Sequence, residues 1–466
     1  MEAIRIRGGH RFRITNAPST DKRDVDVPAV VGLTPRGIPG LKPKILVKVG
    51  DKVERGQILF HDKRRPQVGF PSPAGGVVKD ICFGPRRRLD AVMVELDAAS
   101  EAVKDFGSVD AGSLASLGRD KVIEKLVASG LWSRITAFPG WGVAPLPGET
   151  VPPAEPHGEP VALPAIRSLY VAALNTEPHQ PEPAVAVEGN ESLFAAGLEV
   201  LRQVPLKNTF LMTKNGGRAL PSEATGVAGV EHRSVDDRYP AENIGLHVYY
   251  TEPLNKGEVA AGVSVEDVID IGHLFLKGTL RAERTFAVGG NAAKDRTHLV
   301  ARQGISVKDL VGAQDDSELR LIAGGLFTGT KVSAEDVMSP SDRAVQLMGE
   351  DRERTPFALL RLGFQHLTLF RTWGAGFFPD AERDATTSNH GEERACVQCH
   401  ACIDVCPVEL MPNLVFKAAL EQDIEKMEKT FIHDCVDCGL CTFVCPSKIE
   451  LAQHIEDGKN FIVKEG

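Results

Sequence analysis

Hydrophobic and polar positions change rhythm several times along this chain, and each change marks an expected element. Residues 41–81, LKPKILVKVGDKVERGQILFHDKRRPQVGFPSPAGGVVKDI, alternate in short runs between Gly50-Asp51, Arg55-Gly56, Pro71 and Gly75-Gly76. Alternation at period two between turn residues predicts short strands. Between residues 101 and 265 the rhythm is mixed. AGSLASLGRDKVIEKLVASGLW and ESLFAAGLEVLRQV repeat apolar residues at helical spacing, while SLYVAAL and NTFLMTK read as buried strands. Strands alternating with helices predict an α/β layer, which the Pro/Glu-rich PLPGETVPPAEPHGEP interrupts as a loop.

Residues 275–332 alternate again, with a turn at Gly289-Gly290 and a short closing helix. Neither that pair nor IAGGLFTG (322–329) has the G-x-G-x-x-G form that opens a helix after a strand, so both read as turns. Residues 356–379, PFALLRLGFQHLTLFRTWGAGFFP, are apolar except for Arg361, Gln365, His366, Thr368, Arg371 and Thr372. Such a stretch folds as a buried hairpin or helix, or presents an apolar surface to a membrane-embedded partner. Leu420, Ile424, Met427 and Phe431 recur at helical steps, predicting a helix over residues 411–434 with Pro412 in its first turn.

Length and charge narrow the picture. A chain of 466 residues exceeds one core, and three or four domains are expected. A net charge of −9 argues against nucleic-acid binding, which needs a basic field. Two basic tips, Lys63-Arg64-Arg65 and Arg86-Arg87-Arg88, are either solvated hairpins or contacts for an acidic partner or anionic lipid headgroups. The start, MEAIRIRGGHRFRI, is charged where a secretory signal is apolar, and no run of eighteen apolar residues could span a membrane. A reducing cytoplasm is therefore expected, in which cysteines serve as ligands more often than as disulfides.

Eight of the nine cysteines lie within residues 396–445, as CVQCHACIDVCP and CVDCGLCTFVCP. Each run is C-x2-C-x2-C-x3-C-P, the spacing of bacterial two-cluster ferredoxins, in which the fourth cysteine of each run serves the other cluster. One [4Fe–4S] cluster is expected on Cys396, Cys399, Cys402 and Cys445, and a second on Cys435, Cys438, Cys441 and Cys406. Pro407 and Pro446 turn the chain away from each wrap. Val405 and Val444 put apolar groups beside the ligands. Paired C-x-x-C units also bind zinc, and that is the alternative. His400 stands where the second run has Gly439, either tuning a sulfur or simply solvated. Isolated Cys82 reads as a small core residue. No set of residues suggests acid–base or nucleophilic catalysis, which leaves one-electron transfer.

Family resemblance extends this reading. KVGDKVERGQILF followed by SPAGGVVKDI resembles a barrel-sandwich hybrid, the biotinyl/lipoyl-domain fold. Lys63 falls at its hairpin, without the flanking pattern that cofactor-attachment enzymes read. Residues 275–332 resemble a soluble-ligand-binding β-grasp domain. The order of parts resembles both the C subunit of Rnf complexes and the A subunit of the sodium-translocating NADH:quinone reductase. SGLWSRITAFPGWGVAP, VAALNTEPHQPEP, DVIDIGHLFLKGTL and GEERACV are similar to stretches of the latter. Many such A subunits have lost most of these cysteines, whereas this chain keeps all eight. The Rnf type, conversely, carries a glycine loop for flavin and NADH where this chain reads GLWSRITAFPGWG.

The resemblance implies a multidomain α/β chain. A hybrid domain would lie in residues 1–100, a Rossmann-like α/β domain in 101–265 and a β-grasp domain in 266–335. An apolar docking segment would follow in 336–390, then a helical dicluster ferredoxin domain in 391–466. It further implies a peripheral subunit on the cytoplasmic face of the bacterial inner membrane, in a six-subunit complex. The other subunits would hold NADH, flavins, ubiquinone and the sodium path. The rival readings are an Rnf-type C subunit, and a structural adaptor whose clusters only staple a small domain.

Overall fold

The alternating runs near the N-terminus pair as expected. Val30–Leu33, Leu89–Leu96, Gly76–Phe83 and Lys52–Val53 form a four-stranded antiparallel sheet in that order. Pro43–Ile45, Ile58–Asp62 and Gly69–Pro71 form a three-stranded one. Val31, Leu59, Phe60, Phe70 and Val92 of these strands are buried, with the Phe60 and Phe70 rings stacked at 5.0 Å. The computed structural model describes residues 3–97, 100–140, 142–151, 161–312, 318–352, 361–370, 373–388 and 392–465.

The α/β layer is built from β1 (Thr136–Phe138), β2 (Ile166–Ala173), α1 (Glu191–Leu201), β3 (Thr209–Lys214), β4 (Val230–Val235), β5 (Val259–Ser264) and α2 (Val265–Lys277). The strand order is β4-β3-β2-β5-β1, parallel except for β1 against β5. Tyr170, Val171, Leu211 and Ala261 are fully buried, as strands covered on both faces require. Helix α2 continues this layer past residue 265 and packs on α1. Small residues set that packing: a Cβ on Gly197 would collide with the Val268 carbonyl oxygen, and one on Gly272 with that of Leu193. Gly272→Ala should therefore cost about 1–3 kcal/mol by overpacking in urea denaturation. A stabilised variant would show that the helices separate freely.

The third sheet runs Lys22–Asp24, His298–Arg302, Glu283–Gly289, Ala344–Gly349, Leu319–Ala323, Thr330–Val332. Two strands come from outside the expected boundaries. Lys22–Asp24, within the stretch assigned to the hybrid region, pairs in parallel with His298–Arg302. Ala344–Gly349, placed by sequence in the connecting segment, is buried and pairs with both Glu283–Gly289 and Leu319–Ala323. IAGGLFTG is a turn between antiparallel strands, as expected.

Other expectations need correction. Arg65 is not a solvated tip: it makes a two-pronged pair with Glu149 (2.5 and 2.7 Å) and donates to the Val143 and Ala144 carbonyls, tying the hybrid sheets to the α/β layer. Lys63 and Arg86–Arg88 are exposed. Cys82 is half-buried beside Asp80 rather than in the core. The helix expected over residues 411–434 is broken in two, because Gln422 takes a positive φ of 53° and Asp423 caps a new helix. Of the apolar stretch 356–379, residues 356–360 and 371–372 lie outside the described residues. The rest is irregular apart from the turn Gly374–Phe377 and leaves Leu362 (68%), Phe364, Phe377 and Phe378 exposed. Among the described residues, no helix is long and apolar enough to cross a membrane.

Candidate iron–sulfur site

The two cysteine runs fold as one motif repeated at a spacing of thirty-nine residues. In the first, Gln398 and His400 take φ of 54° and 63°; their counterparts Asp437 and Gly439 take 51° and 74°. The short helices α3 (Ala401–Asp404) and α6 (Leu440–Phe443) follow, and Glu409 and Lys448 repeat the positive φ at 56° and 57°. Next come α4 (Pro412–Leu420), α5 (Ile424–Lys429) and α7 (Leu451–Glu465), with α4 and α7 opening thirty-nine residues apart and packing together. Left-handed backbone at the x positions curls each run so that successive cysteines face inward. Gly439 adopts it freely, whereas His400 does so against its Cβ.

This curl and the packing of α4 on α7 produce two cavities. Cys396, Cys399, Cys402 and Cys445 line the first, of about 350 Å³, with Asn413, Ile449 and Leu451. Cys406, Cys435, Cys438 and Cys441 line the second, of about 420 Å³, with Val408, Leu410, Val415 and Ile455. Each thus takes three thiols from one run and the last thiol of the other. Among the described residues, no three His, Cys, Asp or Glu side chains are grouped to hold a single metal ion.

The cavities differ in depth. Cys399 is exposed, and His400 beside it is solvated. The second cavity faces the α/β layer, where Val408, Leu410 and Val436 share a core with Tyr170, Phe210 and Leu246. Burial pushes the Cys435 thiol up to about 12 and raises Cys438 and Cys441 as well. Such thiols resist ionising unless a cation joins them. Backbone N–H groups favour the thiolates: Leu410 donates to Cys406 at 3.3 Å, and Asn413, Asp437, Leu440 and Thr442 face Cys402, Cys435, Cys438 and Cys441.

Sequence reasoning missed the residues that hold this unit. Buried Tyr239 donates its hydroxyl to the Cys438 carbonyl at 2.7 Å across 199 residues, and the Asn243 amide donates to the Val436 carbonyl. Lys459 on α7 donates to the Cys435 carbonyl and to Asp437. The N-terminal arm lies against the first run, where the Gly9 N–H donates to the Val405 carbonyl and Arg7 pairs with Glu409. No local pattern marks these residues, since their partners are remote in the chain.

Comparison with known proteins agrees with this layout. Residues 4–97 match the NqrA N-terminal barrel-sandwich hybrid domain, residues 117–280 the NqrA second alpha/beta domain, and residues 395–449 a 4Fe-4S dicluster domain. The A subunit of the Na(+)-translocating NADH-quinone reductase of Saccharophagus degradans is 30% identical over 99% of this chain and 100% of its own length. That of Klebsiella pneumoniae is 32% identical over 92% of each, and that of Vibrio campbellii 29% identical over 99% and 100%.

Proposed function

Because the chain belongs to the family of A subunits of the Na(+)-translocating NADH-quinone reductase, we propose that it is the peripheral A subunit of such a complex, in which NADH oxidation and ubiquinone reduction drive sodium export. Its own cofactors in this reading are two [4Fe–4S] clusters. Cys396, Cys399, Cys402 and Cys445 hold one; Cys435, Cys438, Cys441 and Cys406 hold the other. When bound, they supply one-electron transfer.

The observation that carries the reading is the crossing of the last cysteines between two four-thiol cavities. A single zinc ion draws its thiolates to a point about 2.3 Å from each sulfur, whereas a four-iron cube needs a space between them. The donor set fits: thiols only, apolar walls, and backbone N–H groups aimed at sulfur. The chain's own residues then exclude water from the inner cavity and fix it against the α/β layer through Tyr239 and Asn243.

The rest of the chain serves assembly at the cytoplasmic face of the membrane, among six subunits whose other members hold NADH, flavins and quinone. The third sheet, with the short helix Val307–Val311, is read as the β-grasp domain. The exposed Leu362, Phe364, Phe377 and Phe378 supply an apolar surface toward membrane-embedded partners.

Anaerobically purified protein should contain about eight iron and eight labile sulfide per chain, and show a [4Fe–4S] EPR signal on reduction. Zinc without sulfide would overturn the cofactor reading. Clusters present in a complex whose turnover ignores their loss would make them folding staples.

A further inference from the structure

Where the hybrid sheets, the α/β layer and the third sheet meet, buried charges do not balance. Arg281 pairs with Glu266 and, at 3.0 Å, with Asp270. Arg284 pairs with Asp267 at 2.6 Å and Asp270 at 2.5 Å, and Arg343 with Asp267 at 2.8 Å. Arg134 joins the group without a carboxylate partner of its own among the described residues. Its Nη2 reaches only Gln303, at 3.5 Å, and its Nε and Nη1 are buried without a hydrogen-bond partner. Four guanidiniums thus face three carboxylates. The neighbouring groups do not make up the difference, since Arg55 and Arg302 share Glu101, and Arg36 takes Asp342. Burial, with Arg284 close by, pulls Arg134 down to about 9, the response of a cation short of a counter-charge.

Arg134 stands between a small cavity toward Arg281 and Arg284 and a larger open one of about 990 Å³. The larger cavity lies over the carboxyl ends of β2 and β5, at Ala172, Gly262, Val263 and Ser264. The sheet order reverses about β2, and the crevice outside such a reversal is where open α/β sheets take ligands. Ser133, Thr136, Ser341 and Arg343 also line it. Glu242 on its wall already accepts the Thr176 hydroxyl and N–H, and burial raises its pKa.

We propose that this cavity binds a small oxyanion, a phosphate group, whose charge is taken by Arg134 with Arg343 and whose oxygens accept from the surrounding hydroxyls. A tetrahedral oxyanion supplies the missing counter-charge and matches guanidinium donors that no protein acceptor uses among the described residues. The site is independent of the iron–sulfur reading.

The test is thermal unfolding of the full chain in inorganic phosphate at constant ionic strength, with iron content measured in every sample. Wild type should show a saturable rise in Tm. Arg134→Met should be at least as stable without phosphate, because it removes an uncompensated buried charge. Its phosphate affinity should be weaker by roughly tenfold or more, the loss of charge-assisted hydrogen bonds. Arg134→Lys keeps a charge and should retain a weakened response, which decides the matter if the methionine variant fails to fold. Phenyl phosphate separates the sources: tighter binding than inorganic phosphate identifies the head of a larger molecule, equal binding a free ion. The proposal falls if wild type responds to neither anion, or if Arg134→Met responds as wild type does. Unchanged iron in all variants would leave the cluster assignment untouched by either result.

Discussion

Cys406→Ser should lower iron content by about half, and the half lost should belong to the other run. Cys406 closes the cavity of Cys435, Cys438 and Cys441, so its removal costs that cluster one of its four ligands. Double variants make the assignment without needing to resolve the signals. Cys406→Ser with Cys438→Ser should lose no more iron than either alone, since both serve one cavity. Cys406→Ser with Cys399→Ser should lose nearly all of it, although Cys399 and Cys406 share a run. Were each run to hold its own cluster, the two pairings would exchange outcomes. Iron and sulfide analysis of these variants suffices, and the effect is all or none for each cluster.

The second expected result concerns Glu177 and is read as a pH dependence of stability. This carboxyl is 8% exposed; it accepts the Phe327 and Thr328 N–H groups and the Thr328 hydroxyl. Burial, aided by the nearby Glu242 carboxylate, pushes it from 4.5 up to about 7 despite those donors. Between these values the folded chain keeps a proton that the unfolded chain has released, so stability falls as pH rises. The contribution is complete below pH 4.5 and is lost by about pH 7, a change of about 3 kcal/mol. Glu177→Gln keeps an oxygen for the same donors and cannot ionise. Its urea-denaturation stability relative to wild type should therefore climb by about 2–3 kcal/mol between pH 5 and pH 8. A constant difference would mean that Glu177 is already ionised when folded. Because Glu177 grips the Phe327–Thr328 turn, which packs on Tyr239 beside Cys438, its protonation also bears on how the inner cavity is held.

Particular residues show how far the chain could be read in advance. The strand alternation of residues 41–81 and the strands around Tyr170 and Leu211 follow from side-chain periodicity, which is a local property. Periodicity misled where the backbone overrode it: residues 411–434 keep helical spacing, yet Gln422 turns left-handed and Leu420 and Phe431 end exposed. It was silent on Ala344–Gly349, because a short apolar run beside an apolar segment looks like part of it. Arg65 and Arg134 were beyond local reading as well. One proves fully paired and the other lacks a carboxylate partner among the described residues, and neither fact is visible without the residues that approach them from far along the chain.

Cysteine type and spacing belong to the chain itself. A thiolate every third residue, then one more before a proline, restricts the chemistry to a multi-metal cluster or zinc before any folding occurs. The fold alone brought Cys445 beside Cys396 and Cys406 beside Cys435, set Tyr239 under Cys438, and left Arg134 short of a counter-ion. Ligand identity is written in covalent order, whereas proximity, burial and charge balance are sums over residues that only packing assembles.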